Sequence, residues 1–147
     1  DYIAAFITEP ISGTSCCGLK PPPDYFPTLR EICDRHNILM IIDEVVTGFG
    51  RTGTNFGIEH WEGVVPDIMC LSKGLTGGFL PFSATLCSDQ IHDAFTVPDR
   101  TRTFFHGHSY TGNPIGCAAA IATMVSRTFT ALTASSAWPE SASAMFS

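Results

Sequence analysis

Three short runs that are apolar at every position, each followed within two residues by an ionisable side chain, constrain this chain most. Ile3–Ile7 leads to Glu9, Ile38–Ile42 ends at Asp43, and Ile68–Leu71 leads to Lys73. Runs of this length without alternation fit strands covered on both faces, as in a parallel sheet. Between the first two, Asp24 stands at a helix start, and Tyr25, Leu29, Ile32 and Cys33 follow at helical spacing. Strand, helix and strand in this order predict a βαβ unit. Phe82–Cys87 reads as a further strand, and Asn113-Pro114 opens a small-residue helix to about Met124, with Pro114 suited to a first helical position. The fold class is therefore α/β, a mostly parallel sheet with flanking helices. In such sheets ligands bind beyond the carboxyl ends of the strands, where Glu9, Asp43 and Lys73 would meet. On pattern alone, solvated loop acids and a surface lysine fit as well.

Composition narrows the partners. With 14 acids against 8 bases the net charge is −6, and no basic run is present, so nucleic acid is not the expected ligand. No apolar stretch is long enough to span a bilayer. Cys33, Cys70, Cys87 and Cys117 each lie inside an apolar run, which suits buried free thiols and a cytoplasmic location. Cys16 and Cys17 are adjacent, and no C-x-x-C pair exists, so no metal site is expected. His106 and His108 at i, i+2 read as loop-shaping residues rather than ligands. Gly48, Gly50 and Gly53 read as turn glycines, because their spacing is not that of a nucleotide-binding loop.

The polar segments carry more. Residues 43–53 read DEVVTGFGRTG, residues 71–81 read LSKGLTGGFLP, and residues 106–114 read HGHSYTGNP, with Glu9-Pro10-Ile11 upstream. In this order they resemble the class III aminotransferases of pyridoxal-phosphate (PLP) fold type I, over residues 1–124. Within the class, the second and third segments look most like the biotin-pathway members, which transfer an amino group to 8-amino-7-oxononanoate. Ornithine-type and other ω-amino-acid transaminases remain open, as do aminomutase and decarboxylase chemistry on the same fold.

The resemblance implies roles for individual residues. Lys73 matches the Schiff-base lysine, whose amine must be partly neutral to attack an aldehyde. Asp43 matches the carboxylate that pairs with the pyridine nitrogen and strengthens the cofactor as an electron sink. Val45 matches the residue packed on one face of the ring, and the role of Glu44 stays open. Ser109 matches a hydroxyl that reaches the cofactor phosphate of the neighbouring subunit, which implies a homodimer. Thr111 is the alternative hydroxyl, and Ser109 also fits a cap for the helix near Asn113. Glu9 matches an acid on the substrate side. Partners are a small-molecule amino donor and a keto acceptor.

Residues 1–124 read as part of the PLP-binding large domain, and residues 125–147 as an atypical Ser/Ala-rich tail, out of frame or disordered. The chain opens without methionine, directly before an apolar run, and looks like the central piece of a longer protein. The family's phosphate-gripping Gly-Ser loop and its carboxylate-binding arginine are not found here. Residues 1–147 alone are therefore expected to show no measurable transaminase activity, since lost positioning removes about 7–11 kcal/mol of barrier lowering. Expression of residues 1–147, with a spectrum after adding PLP and an amino-transfer assay, checks this; turnover would overturn it.

Overall fold

The computed structural model describes residues 3–131 and 143–146, with side chains to residue 126. Five strands form one sheet in the order β1 (Ala5–Thr8), β2 (Leu39–Asp43), β3 (Ile68–Leu71), β4 (Ala84–Cys87), β5 (Ser143–Phe146). The first three are mutually parallel, while β4 is antiparallel to β3 and β5 to β4. The sheet is thus mixed. The link of residues 72–83 holds a single 3₁₀ turn and no α-helix to cross the sheet, and β4 returns antiparallel. Helices α1 (Tyr25–His36), α2 (Asp89–Phe95) and α3 (Pro114–Ala131) flank it.

Helix α1 turns Leu29 and Cys33 of the expected stripe toward the core and adds Phe26 to them. Phe26 and Cys33 are buried, whereas Tyr25 and Ile32 are exposed. The Phe26 ring meets Trp61 edge-on at 4.6 Å, which turns that side of the helix inward. Asp24 precedes the helix but makes no side-chain cap bond, because its backbone is already helical rather than extended. The helix ends at Asn37, whose φ of 53° lies in the left-handed region that asparagine tolerates. Arg30 points toward the sheet and not to solvent. Its guanidinium donates to Asp67 Oδ2 at 2.8 Å, and the Met40 N–H donates to the same oxygen at 2.7 Å.

One sheet face is the core. Met40, Ile42 and Met69 are wholly buried there, in a cluster with Phe26, Trp61 and Ala120 of α3. The other face is only partly covered by the described residues. Ile7 is 61% exposed, and Leu39 and Ile68 border an open cavity of about 400 Å³ that Ile91, Phe95 and Phe104 also line. Short α2 and the segment after it are too small to fill that side. Of the four cysteines expected to be buried, Cys33 and Cys87 are, while Cys70 and Cys117 are half-buried; all six are free.

Helix α3 continues past Met124 to Ala131, and Ser143–Phe146 joins the sheet. The alanines at 118–120 and 122 favour the first part of this helix, and the Val-Ser-Arg-Thr-Phe-Thr-Ala stretch continues it to Ala131. Residues 132–142 and 147 of the expected tail lie outside the described residues.

Asp67 ties α1, β2 and the approach to β3 together. Asp67→Ala should cost the full-length protein about 1.5–3 kcal/mol in urea unfolding, with Asp67→Asn losing less because it keeps one acceptor oxygen.

Candidate active site

Parallel pairing brings the ends of β1, β2 and β3 to one edge. Thr8 pairs with Ile42, and Asp43 pairs with Cys70. Glu9 follows β1 directly, Asp43 closes β2, and Lys73 lies two residues past β3. With neighbouring strands about 4.8 Å apart, an acid, an acid and a lysine share this edge.

Each is held differently. Glu9 is half-buried, and its Oε2 accepts the Gly13 N–H at 3.2 Å, closing its own loop. Asp43 is half-buried, and its Oδ1 accepts the Val45 N–H at 2.9 Å, which fixes the carboxylate and the half-buried Val45 together. Cys70 shares the sheet face of Asp43, and its thiol is pushed up by burial and then by the Asp43 charge. Lys73 is exposed and opens a single turn of 3₁₀ helix, Lys73–Thr76, that follows the extended Ser72. Its φ is +43°, a left-handed backbone that costs a non-glycine residue about 1–2 kcal/mol. The turn is closed by the Gly78 N–H on the Lys73 carbonyl at 2.9 Å, and anchored by the Ser72 hydroxyl donating to the Phe82 carbonyl at 2.8 Å. Such strain persists only where neighbours enforce it, and it concentrates at functional positions.

Ser109 is not brought to this edge within one chain. It is exposed, on a segment whose Gly107 and Thr111 border the cavity beside Leu39 and Ile68, the first residues of β2 and β3. Leu39 and Asp43 are separated by the length of β2, about 13 Å. Nor is Ser109 the helix cap: Asn113 Oδ1 accepts the N–H groups of Ile115 and Gly116 at 2.9 and 3.2 Å. Thr111 Oγ1 accepts the His108 N–H, and His108 Nδ1 accepts the Tyr110 N–H, so both shape the loop. Gly50 and Gly53 have positive φ, as turn glycines do, and Gly48 is needed because a Cβ there would lie 2.7 Å from the Glu44 carbonyl oxygen.

Glu44 is the residue that sequence reasoning left without a role. It is wholly buried. Its carboxylate accepts the Gly57 N–H at 2.9 Å, the Ile58 N–H at 2.8 Å and the Thr47 hydroxyl. Its own N–H donates to the Cys70 carbonyl at 2.9 Å. Glu44 thereby pins the 44–58 loop beside Asp43. No spacing in the sequence marks its two N–H partners, which lie 13 and 14 residues away.

The family model for aminotransferase class III matches residues 1–136. The chain belongs to the class III aminotransferases. It is 50% identical over 123 residues to adenosylmethionine-8-amino-7-oxononanoate aminotransferase of Nitratidesulfovibrio vulgaris, covering 83% of this chain and 22% of that relative. It is 46% identical over 125 residues to β-alanine–pyruvate aminotransferase of Pseudomonas aeruginosa, covering 83% and 28%. Among solved structures, an (S)-enantioselective ω-transaminase from Thermomicrobium roseum matches with a TM-score of 0.78 and 40% identity, over 86% of this chain and 27% of that one. This class III chain therefore spans about a quarter of the length of the relatives it matches.

In this class III chain, burial pushes the Glu44 carboxyl above the ordinary glutamate range, and the Thr47 hydroxyl and the Ile58 and Gly57 N–H groups pull back without cancelling it. Folded Glu44 then binds its proton more tightly than unfolded Glu44. Stability falls as pH rises from the ordinary glutamate value through the raised one. Glu44→Gln should flatten that slope. It should also cost about 1–3 kcal/mol, because one amide oxygen replaces two acceptors facing converging N–H groups. Urea unfolding of the full-length protein across that pH range checks both effects.

Proposed function

We propose that the protein containing these residues is a PLP-dependent transaminase, with 8-amino-7-oxononanoate as the amino acceptor. The observation that carries the reading is Lys73, exposed and strained into a left-handed backbone at the edge that also holds Asp43. The donor set fits the cofactor: a lysine amine for an aldehyde, a fixed carboxylate for a pyridinium nitrogen, and an apolar Val45 joined to that carboxylate's position. When bound, PLP would supply the electron sink that takes up the electron pair left when the substrate Cα–H bond breaks. Lys73 Nζ would hold the cofactor and, once displaced by the substrate amine, take the proton from the substrate Cα. Asp43 would keep the ring nitrogen protonated through a charge-assisted hydrogen bond. Val45 would bound one face of the ring, and Glu9 the substrate side.

The position of Ser109 supports a homodimer. A hydroxyl on a segment beside the opposite strand ends serves its own site poorly, and is free to reach a cofactor phosphate across a subunit boundary. Residues 1–124 would form part of the large PLP-binding domain, with residues 125–147 as an atypical tail, although the family match runs on to residue 136. Among the described residues no helix is long and apolar enough to cross a membrane. The six free cysteines suit a reducing, cytoplasmic location. The 50% identity to the oxononanoate enzyme favours that acceptor. The 46% identity to the β-alanine–pyruvate enzyme supports a second reading, an ω-amino-acid transaminase.

Borohydride reduction of the full-length protein loaded with PLP, followed by peptide mapping, should place a pyridoxyl label on Lys73. A label on Lys20 with none on Lys73 would sink the reading. Amino transfer to 8-amino-7-oxononanoate, run beside pyruvate with β-alanine as donor, separates the two acceptors.

A further inference from the structure

Two large residues near the strand-end edge have left-handed backbones, Phe49 at φ +57° and Lys73 at +43°. They are far apart in sequence and meet across Gly74. A Cβ on Gly74 would stand 2.9 Å from Phe49 Cβ, 3.3 Å from its Cδ2 and 3.4 Å from its Cγ. Phe49 therefore lies directly on the backbone that follows Lys73, and glycine is required at 74 to admit it. Neither strained backbone is supported by glycine's freedom, so each needs external enforcement.

The enforcement of Phe49 is visible. The Gly48 N–H donates to the Glu44 carbonyl at 2.9 Å, and the Gly50 N–H to the Asn55 carbonyl at 3.2 Å. The Phe49 ring meets Phe56 edge-on at 5.8 Å. Glu44, buried and bonded to the Gly57 and Ile58 N–H groups, fixes both ends of this loop. The loop thus presses from the Asp43 side, while the Ser72 hydroxyl on the Phe82 carbonyl holds the turn from the other. A residue serving only as core filling would not need the left-handed backbone that brings Phe49 against this turn.

We propose that Phe49 is a positioning residue that holds the Lys73 turn in its left-handed conformation and so aims the lysine amine. The inference rests on the assignment of Lys73 as the cofactor lysine. Loss of the contact lets the turn relax, and a displacement of about 1 Å at a reacting group can cost as much as a hundredfold in rate.

The test uses full-length, PLP-loaded protein carrying Phe49→Ala, Phe49→Leu or Gly74→Ala. Three quantities are read: the pH titration of the lysine-bound cofactor's absorbance, kcat and KM for amino transfer, and urea unfolding. Phe49→Ala should lower kcat by roughly ten- to a hundredfold with little change in the KM of the amino donor, and should move the midpoint of the absorbance titration. Phe49→Leu should recover most of both, and Gly74→Ala should shift the titration by displacing the turn from its other side. Wild-type titration and kcat in Phe49→Ala overturn the inference, as does a variant that loses only stability. Should Phe49→Ala not fold, a wild-type titration in Gly74→Ala overturns it equally. Lys73→Ala separates the underlying assignment: an absorbance band and label that survive on another lysine defeat the cofactor reading itself, whatever Phe49 does.

Discussion

The parallel pairing of β1, β2 and β3 is the constraint on which the arrangement depends. Strands that run the same way must finish at the same edge, so every residue just past a strand is delivered to one place. The two-residue turns of hairpins are excluded between them, and the chain needs long connections. Those connections supply the α1 crossover and the 44–67 loop, and the loop supplies Glu44 and Phe49. The antiparallel return into β4 then closes the Lys73 turn with the Phe82 carbonyl. One choice of strand direction thus sets both the contents of the edge and the structure that surrounds it.

Burial within this frame is uneven. On the core face, Met40, Ile42 and Met69 lose all contact with water, and at about 25 cal/mol per Å² they are a main source of stability. Polar groups enter that interior only when fully bonded, as Glu44 is. The opposite face keeps Ile7 largely open and Leu39 37% exposed. Exposed apolar patches of this kind mark surfaces that take part in further packing.

Elements whose signal is local were legible in the sequence. The strand runs needed only their apolar continuity, and the ends of β1, β2 and β3 follow from it, as does the placement of Glu9, Asp43 and Lys73. The motif segments then gave the family. Features that depend on distant partners were not legible. The inward side of α1 is set by Trp61, so Phe26 was missed and Ile32 misplaced. The burial of Glu44 is set by the Gly57 and Ile58 N–H groups, which no spacing rule reaches. The α3 extension beyond Met124 has weak amphipathicity and left too little periodic signal. Asp24 had the right residue type for a cap and the wrong backbone geometry, which a one-dimensional pattern does not record.

The left-handed backbone at Lys73 sets folding and chemistry in opposition at one position. Glycine is the residue that the local geometry favours there, because it adopts φ +43° without steric cost. Lysine is the residue that the proposed chemistry requires. Selection for stability alone would therefore favour glycine at position 73, while the proposed cofactor role would keep lysine there. A protein built this way is expected to sit below its attainable stability at the point where it works.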